Sequence, residues 1–362
     1  MRYANPLLMV FLCCFSFPAF SQQSTPPPQV TPPESVPALP RGGPGRRISL
    51  DVVVTDKSGN PLPDLQQQDF TLLDDNQPQR ILSFRATDQT SKPDNPPLQA
   101  IFLVDAVNTG FESTSLERLH LEKFLRQDGG HLPIPMSLVF LTDTSQGQVP
   151  ATRDGNALAD ALNAHQTGLR ALGNPRGFQA EIDRFQISIK GLERLVSHVA
   201  PEPGRKLIVW LSPGWPLLSG ARVNVTAKDQ EVLFNRVVHL SAALREARIT
   251  LYSVNPLGVA EAGSFGAFYY ESFLKGVTSA DKVQSGNLGL QVLATQSGGR
   301  VLTTSNDVAG SIASCLLDAK ASYTISFDSP LADHPNEYHD LQIKIGKPGL
   351  TARTQTGYYA QK

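Results

Sequence analysis

Four short runs of almost uniformly apolar residues, 100–104, 137–141, 207–211 and 249–254, constrain this chain more than any other feature. A strand that is apolar on both faces has to be covered on both faces, which is the condition inside a parallel sheet flanked by helices. The segments between the runs supply the helices. Ile182, Phe185, Ile189, Leu192, Val196 and Val199 form one stripe at a period of 3.6, and Val232, Leu233, Val237, Leu240 and Leu244 form a second. Val308, Ile312, Leu316 and Ala319 form a third, with Asp307 placed to cap it. Strands alternating with helices predict an α/β domain over residues 97–320, a doubly wound and mostly parallel sheet of Rossmann-like topology.

Both flanks have a different period. Ile48, Leu50, Val52 and Val54 alternate with Ser49, Asp51, Val53 and Thr55, and short strands are expected at 70–73 and 81–84. Near the C-terminus Tyr323, Ile325 and Phe327, then Leu341, Ile343 and Ile345, alternate with polar residues, and a last strand is expected over 350–356. Neither flank has enough strands to close a sandwich alone. Residues 46–90 and 321–362 are therefore expected to pair into one β-sandwich, with the α/β domain inserted between them.

Ahead of these blocks, Arg2 precedes an apolar run over residues 6–17 that ends in Ala19, Phe20 and Ser21. About twelve apolar residues are too few to span a bilayer, which takes about 20, so residues 1–21 read as a secretory signal peptide. Residues 25–45 hold eight prolines, and segment 22–45 reads as an extended linker. The expected product is exported, periplasmic or extracellular, with no membrane span in its mature part. Its three cysteines are Cys13, Cys14 and Cys315. Only Cys315 survives export, and it falls on the third helical stripe as a core residue, so no disulfide framework forms.

The charge excludes one class of partner. Lys+Arg 32 against Asp+Glu 33 gives a net charge of −1, and nucleic acid as the main partner would require a basic footprint. No nucleophile elbow, phosphate loop, His-Glu-x-x-His or dinucleotide glycine fingerprint occurs. His334 and His339 lie close together in a Pro/Asn-rich stretch that reads as a surface hairpin.

In a doubly wound sheet, ligands bind where the strands end. Asp105 to Thr109 follow the first run, Thr142 to Ser145 the second, Ser212 to Trp215 the third and Asn255 to Gly258 the fourth. Trp215, between Pro213 and Pro216, is expected on an exposed loop, and Asn108, Ser212 and Trp215 are the expected partner-binding residues. Phe265, Phe268, Tyr269 and Tyr270 in the long segment 256–287 read as a packed loop or as a partly apolar lid over the sheet.

Several segments resemble the von Willebrand factor A-related proteins of acidobacteria. They are Val53-Val54-Thr55-Asp56-Lys57-Ser58-Gly59 with Asp69-Phe70, the stretch from Gly204 through Trp210 to Ser212, Gly298-Gly299-Arg300, and Gly357-Tyr358-Tyr359-Ala360. The resemblance implies an A-type domain set into β structure, a binding role and no catalysis. It also implies a Mg²⁺ adhesion site built from Asp-x-Ser-x-Ser, a loop Thr and a later Asp-Gly, because hard divalent cations take oxygen ligands. Asp105 matches the first Asp. Val107 replaces the first Ser and Thr109 the second, while Pro213-Gly214 leaves no later carboxylate. The loop Thr has no clear counterpart beyond Ser188.

A degenerate site is therefore expected, with Asp105, Thr109 and Asp143 as its only candidate ligands for Mg²⁺ or Mn²⁺ and no cofactor otherwise. The expected function is metal-independent binding of a protein or cell-surface ligand. Metal-dependent binding through Asp105 and Thr109, a hydrolase using Asp105, Asp143 and Thr109, and a self-associating envelope protein are the alternatives.

Overall fold

The order of strands in the central sheet determines which loops meet. In the computed structural model this sheet runs β10-β9-β8-β5-β6-β7. Its strands are β5 (Leu98–Asp105), β6 (His131–Leu141), β7 (Gln146–Asp154), β8 (Arg205–Leu211), β9 (Ile249–Val254) and β10 (Val301–Leu302). All neighbours are parallel except β6 and β7, which are antiparallel. The structure describes residues 47–88, 97–109, 111–142, 146–165, 177–216, 218, 226–258, 269–303 and 305–361. The expected signal peptide and proline-rich linker lie outside the described residues, as do Asp143, Phe265 and Phe268.

The four apolar runs are the four inner strands. Every residue of β8 and β9 is buried, as is Ala100 to Asp105 of β5. Helices cover the sheet: α1 (Phe111–Leu125), α2 (Gly155–Ala164), α3 (Phe178–Val199), α4 (Ala227–Glu246), α5 (Leu290–Gln296) and α6 (Val308–Leu317). The predicted stripe of α6 is buried, as is that of α3 from Phe185 to Val199, with Ile182 only half-buried, and in α4 the buried part is Val237, Leu240 and Leu244. Val232, counted in that stripe, is 40% exposed. Asp307 caps α6 through its Oδ1, which accepts from Gly310 N at 3.0 Å. Thr226 and Asp229 close a reciprocal capping box on α4. Cys315 is fully buried on α6.

The flanking segments build two antiparallel four-stranded sheets. One has the order β13-β1-β11-β4, from β13 (Thr351–Arg353), β1 (Arg47–Thr55), β11 (Ala321–Asp328) and β4 (Ser83–Asp88). The other has the order β14-β12-β2-β3, from β14 (Gly357–Ala360), β12 (Glu337–Ile345), β2 (Phe70–Asp74) and β3 (Gln77–Gln79). Each sheet takes strands from both sides of the α/β segment, and the two share one apolar cluster containing Leu50, Val52, Leu72, Tyr323, Ile325, Phe327, Leu341 and Tyr358.

Two charged clamps join this part to the α/β part. Arg248, just before β9, donates through Nε to Asp51 Oδ2 of β1 at 3.0 Å. Arg353 of β13 donates through Nη2 to both oxygens of Asp318 at 2.7 and 2.8 Å, and Tyr252 of β9 donates to the same carboxylate at 2.6 Å. Asp51 is on the polar side of the β1 alternation, so that face is covered from Asp51 to Thr55, while Arg47 and Ser49 on it are exposed. No described helix is long and apolar enough to cross a membrane.

Candidate functional site

β5 connects through α1 to β6 on one side, while β8 connects through α4 to β9 on the other. Adjacent strands whose connections run in opposite directions define the switch point of a doubly wound sheet, and the crevice lies between the loops that follow them. Asp105 ends β5, and Ser212 follows β8. The register pairs Leu103 with Trp210, and Val104 with Leu211. Leu103, opposite Trp210, precedes Asp105 by two residues, so Trp210 stands on the same face of the sheet as Asp105.

Asp105 is fully buried. Its Oδ1 accepts from Val107 N at 2.9 Å and Asn108 N at 3.0 Å. Its Oδ2 accepts from Asn108 Nδ2 at 2.7 Å and from the Trp210 indole Nε1 at 3.0 Å. Four protein donors thus fill the four acceptor positions of one carboxylate. Behind it lies Glu117 of α1, also fully buried, whose Oε1 accepts from Asp105 N at 3.2 Å. Burial, and then the neighbouring Asp105 carboxylate, push the Glu117 carboxyl well above the ordinary range. Its Oε2 is buried with no hydrogen-bond partner among the described residues.

The remaining candidates are tied into the same loops. Thr109 Oγ1 donates to the Asp105 carbonyl and lies 2.8 Å from Thr114 Oγ1. Ser188 of α3 is fully buried, accepts from Asn108 Nδ2 at 2.8 Å, and donates to Arg184 O at 2.8 Å. Asn108 and Thr109 are half-buried at the mouth of the crevice. Val107 is buried and offers no ligand atom.

Ser212 and Trp215 differ from the expected exposed positions. Ser212 is fully buried, its hydroxyl accepting from Gly214 N at 3.1 Å. Trp215 is only 3% exposed. Its ring meets Trp210 edge to face at 5.0 Å, and its Nε1 donates to Leu288 O at 2.8 Å. The loop turns inward because Gly214 takes φ +104, and a Cβ there would lie 2.4 Å from Gln291 Nε2. That backbone conformation suits glycine and brings the loop against α5. As placed, neither residue offers surface to a partner.

Asp105, Asn108, Thr109, Ser188 and Trp210 are thus brought together by hydrogen bonds to one another and to their own backbone, while Asn108 Oδ1 is buried with no hydrogen-bond partner among the described residues. A Mg²⁺ or Mn²⁺ ion requires oxygen lone pairs directed at it. Both lone pairs of Asp105 Oδ2 are directed at N–H donors, the Asn108 amide and the Trp210 indole. The residues described here do not fit the metal that the family resemblance implies.

One other cluster escaped the sequence reading. Asp74, Asp75 and His339 offer ligand atoms within 4.8 Å of one another. His339, expected on a surface hairpin, is 6% exposed on β12. Its Nδ1 lies 2.8 Å from Asp74 Oδ1 and 3.3 Å from Asp75 Oδ2, and its ring stacks on Tyr358 at 5.0 Å. Tyr358 in turn donates to Asp74 Oδ2 at 2.6 Å. This network pins β12 and β14 to the end of β2. Only the β register, which places His339 opposite Tyr358, reveals it. A surface cleft of about 300 Å³ lies elsewhere, lined by Tyr269, Phe273, Lys275, Lys282 and Asn287.

Neither a protein-family profile nor a curated protein sequence matches the chain. Solved structures resemble it loosely. An aerotolerance-related membrane protein from Bacteroides fragilis aligns at 12% identity with a TM-score of 0.34, over 62% of this chain and 99% of that one. The pilus adhesin SpaC from Lactobacillus rhamnosus aligns at 8% identity with a TM-score of 0.36, over 86% of this chain and about half, 49%, of that one. A von Willebrand factor type A protein from Catenulispora acidiphila aligns at 8% identity with a TM-score of 0.31, over 82% and 76% respectively.

Proposed function

We propose that this chain is an exported, non-enzymatic protein-binding module of the von Willebrand A-related type. In this reading residues 97–320 are an A-type domain inserted into a β-sandwich made by 46–90 and 321–362. The partner, a protein or another cell-surface ligand, meets the rim formed by the loops after β5, β6, β8 and β9. One observation carries the reading: at the switch point, where a doubly wound sheet places its ligand chemistry, the side chains of Asp105, Thr109 and Ser188 are held by hydrogen bonds within their own loops and helix. Thr109 donates to its own loop, Ser188 to α3, and Asp105 is saturated. A hydrolase would need one of these groups to take or give a proton, so what this rim offers is shape and half-buried loop surface.

The test is capture of a partner from envelope extracts on immobilised protein comprising residues 22–362, followed by titration of the purified partner. Pro216→Arg and Leu257→Arg, on half-buried loop positions after β8 and β9, should weaken binding at least tenfold. Lys344→Glu, exposed on β12, should leave it unchanged. Equal binding by all three variants would refute the rim, and a mass that grows with concentration in light scattering would favour a self-associating envelope protein instead.

A further inference from the structure

We infer that the side-chain amide of Asn108 is a built-in substitute for the divalent cation of an A-type adhesion site, and that it makes recognition by this domain independent of metal. The inference rests on reading residues 97–320 as an A-type domain, and it concerns what holds the switch point together rather than which partner meets the rim.

The geometry is specific. Asn108 Nδ2 donates to Asp105 Oδ2 at 2.7 Å and to Ser188 Oγ at 2.8 Å. One nitrogen therefore bridges the carboxylate after β5 and the hydroxyl of α3, the two groups that an ion at this place would itself have to join. An ion bound to both oxygens at about 2.0–2.6 Å would compete for the place the amide nitrogen fills. The assignment of nitrogen and oxygen within the amide follows from chemistry, because Asp105 Oδ2 can only accept. Trp210 Nε1 takes the other lone pair of the same oxygen at 3.0 Å. The backbone amides of Val107 and Asn108 hold Oδ1.

Each departure from the metal-binding pattern is then part of one substitution. Val107 removes a ligand, Thr109 turns its hydroxyl back to the Asp105 carbonyl, and Asn108 together with Trp210 supplies the positive ends of dipoles that a buried carboxylate requires. A neutral amide has no open coordination position, so it cannot take up a partner's carboxylate as a bound ion does. The class of partner that fits this rim is one whose contact needs no bridging ion.

The test uses metal ions alone on protein comprising residues 22–362. Melting is recorded in EDTA and in millimolar Mg²⁺, Mn²⁺ or Ca²⁺, and free Mn²⁺ is counted by its electron paramagnetic resonance signal. At the switch point the wild type should hold no ion, so the melting temperature and Mn²⁺ signal of the wild type should respond to metal no differently from those of Asp105→Asn, whatever the Asp74–Asp75–His339 cluster takes up. Asn108→Ala should melt several degrees lower in EDTA, because Asp105 and Ser188 each lose a donor. Asn108→Asp should melt lower still in EDTA and recover part of the loss in Mn²⁺, because it places a second carboxylate at a cation-sized position. Mn²⁺ uptake by the wild type that Asp105→Asn abolishes would overturn the inference, as would an Asn108→Ala protein that melts like the wild type. Should Asn108→Asp fail to fold, the wild-type and Asn108→Ala measurements decide alone. A partner that fails to bind the rim leaves these melts untouched, so the two readings fail separately.

Discussion

Glu117→Gln should change the pH dependence of stability. Glu117 is fully buried behind Asp105, and its carboxyl is pushed well above 4.5, first by burial and then by the Asp105 carboxylate. In the folded protein it keeps its proton at pH values where the unfolded chain has released it. The unfolded state then binds fewer protons than the native one, so stability falls as pH rises. The contribution is complete below the unfolded value near 4.5, and it is lost progressively up to the raised folded value. The slope for one proton is about 1.4 kcal/mol per pH unit. Between pH 5 and pH 7 the wild type should lose up to about 3 kcal/mol relative to Glu117→Gln. Gln keeps an oxygen to accept from Asp105 N, so any fixed offset between the two proteins is the same at each pH. Urea unfolding followed by the fluorescence of Trp210 and Trp215, both buried, measures the difference at pH 5, 6 and 7. A difference that stays constant would mean that Glu117 is ionised in the fold, and the account of a neutral acid backing Asp105 would be refuted.

Gly204→Ala should destabilise by at least about 1–3 kcal/mol from backbone strain alone, because Gly204 takes φ +88 and a Cβ there would lie 1.9 Å from Pro97 O; thermal melts measure it. Arg353→Ala leaves the buried Asp318 with one donor fewer and should cost about 3–5 kcal/mol. Arg47→Ala, which breaks a pair that is 61% and 57% exposed, should cost less than about 1 kcal/mol by the same urea titration. Trp215→Ala should cost about 3–5 kcal/mol, and a cost near zero would restore the exposed-loop reading of that residue. Burial pushes the Cys315 thiol up to about 12, so in protein beginning at residue 22 a thiol reagent should find no reactive cysteine until the fold is opened with denaturant.

The inner strands and the buried helical stripes were legible because their signal is local. Apolar residues at consecutive positions, or at a period of 3.6, state which faces are covered without reference to any other segment. The same held for Asp307, whose cap is made three residues away. β7 was not legible. Its residues, Gln146–Asp154, have few apolar side chains, and it exists because β6 offers an open edge with which it pairs antiparallel. His339 misled for a related reason. Its neighbours Asp333 to Asn336 are loop residues, but the alternation of β12 turns His339 inward onto Asp74 and Tyr358.

The candidate site shows the limit most clearly. Reading Asp105 against a metal-binding pattern registers only losses: no first serine, no later carboxylate, no loop threonine. A buried carboxylate still requires partners whether or not an ion is present, since leaving it unpaired costs more than any single hydrogen bond contributes. A buried tryptophan likewise requires an acceptor for its N–H. Trp210 and Asp105 answer each other at 3.0 Å, across 105 positions of sequence that only the β5–β8 register closes. Asn108 supplies the remaining donor from the loop itself. Under the proposed reading, the ligands that are missing and the donors that are present are two sides of one substitution, so such a site is better identified by the group that satisfies its carboxylate than by the ligands it lacks.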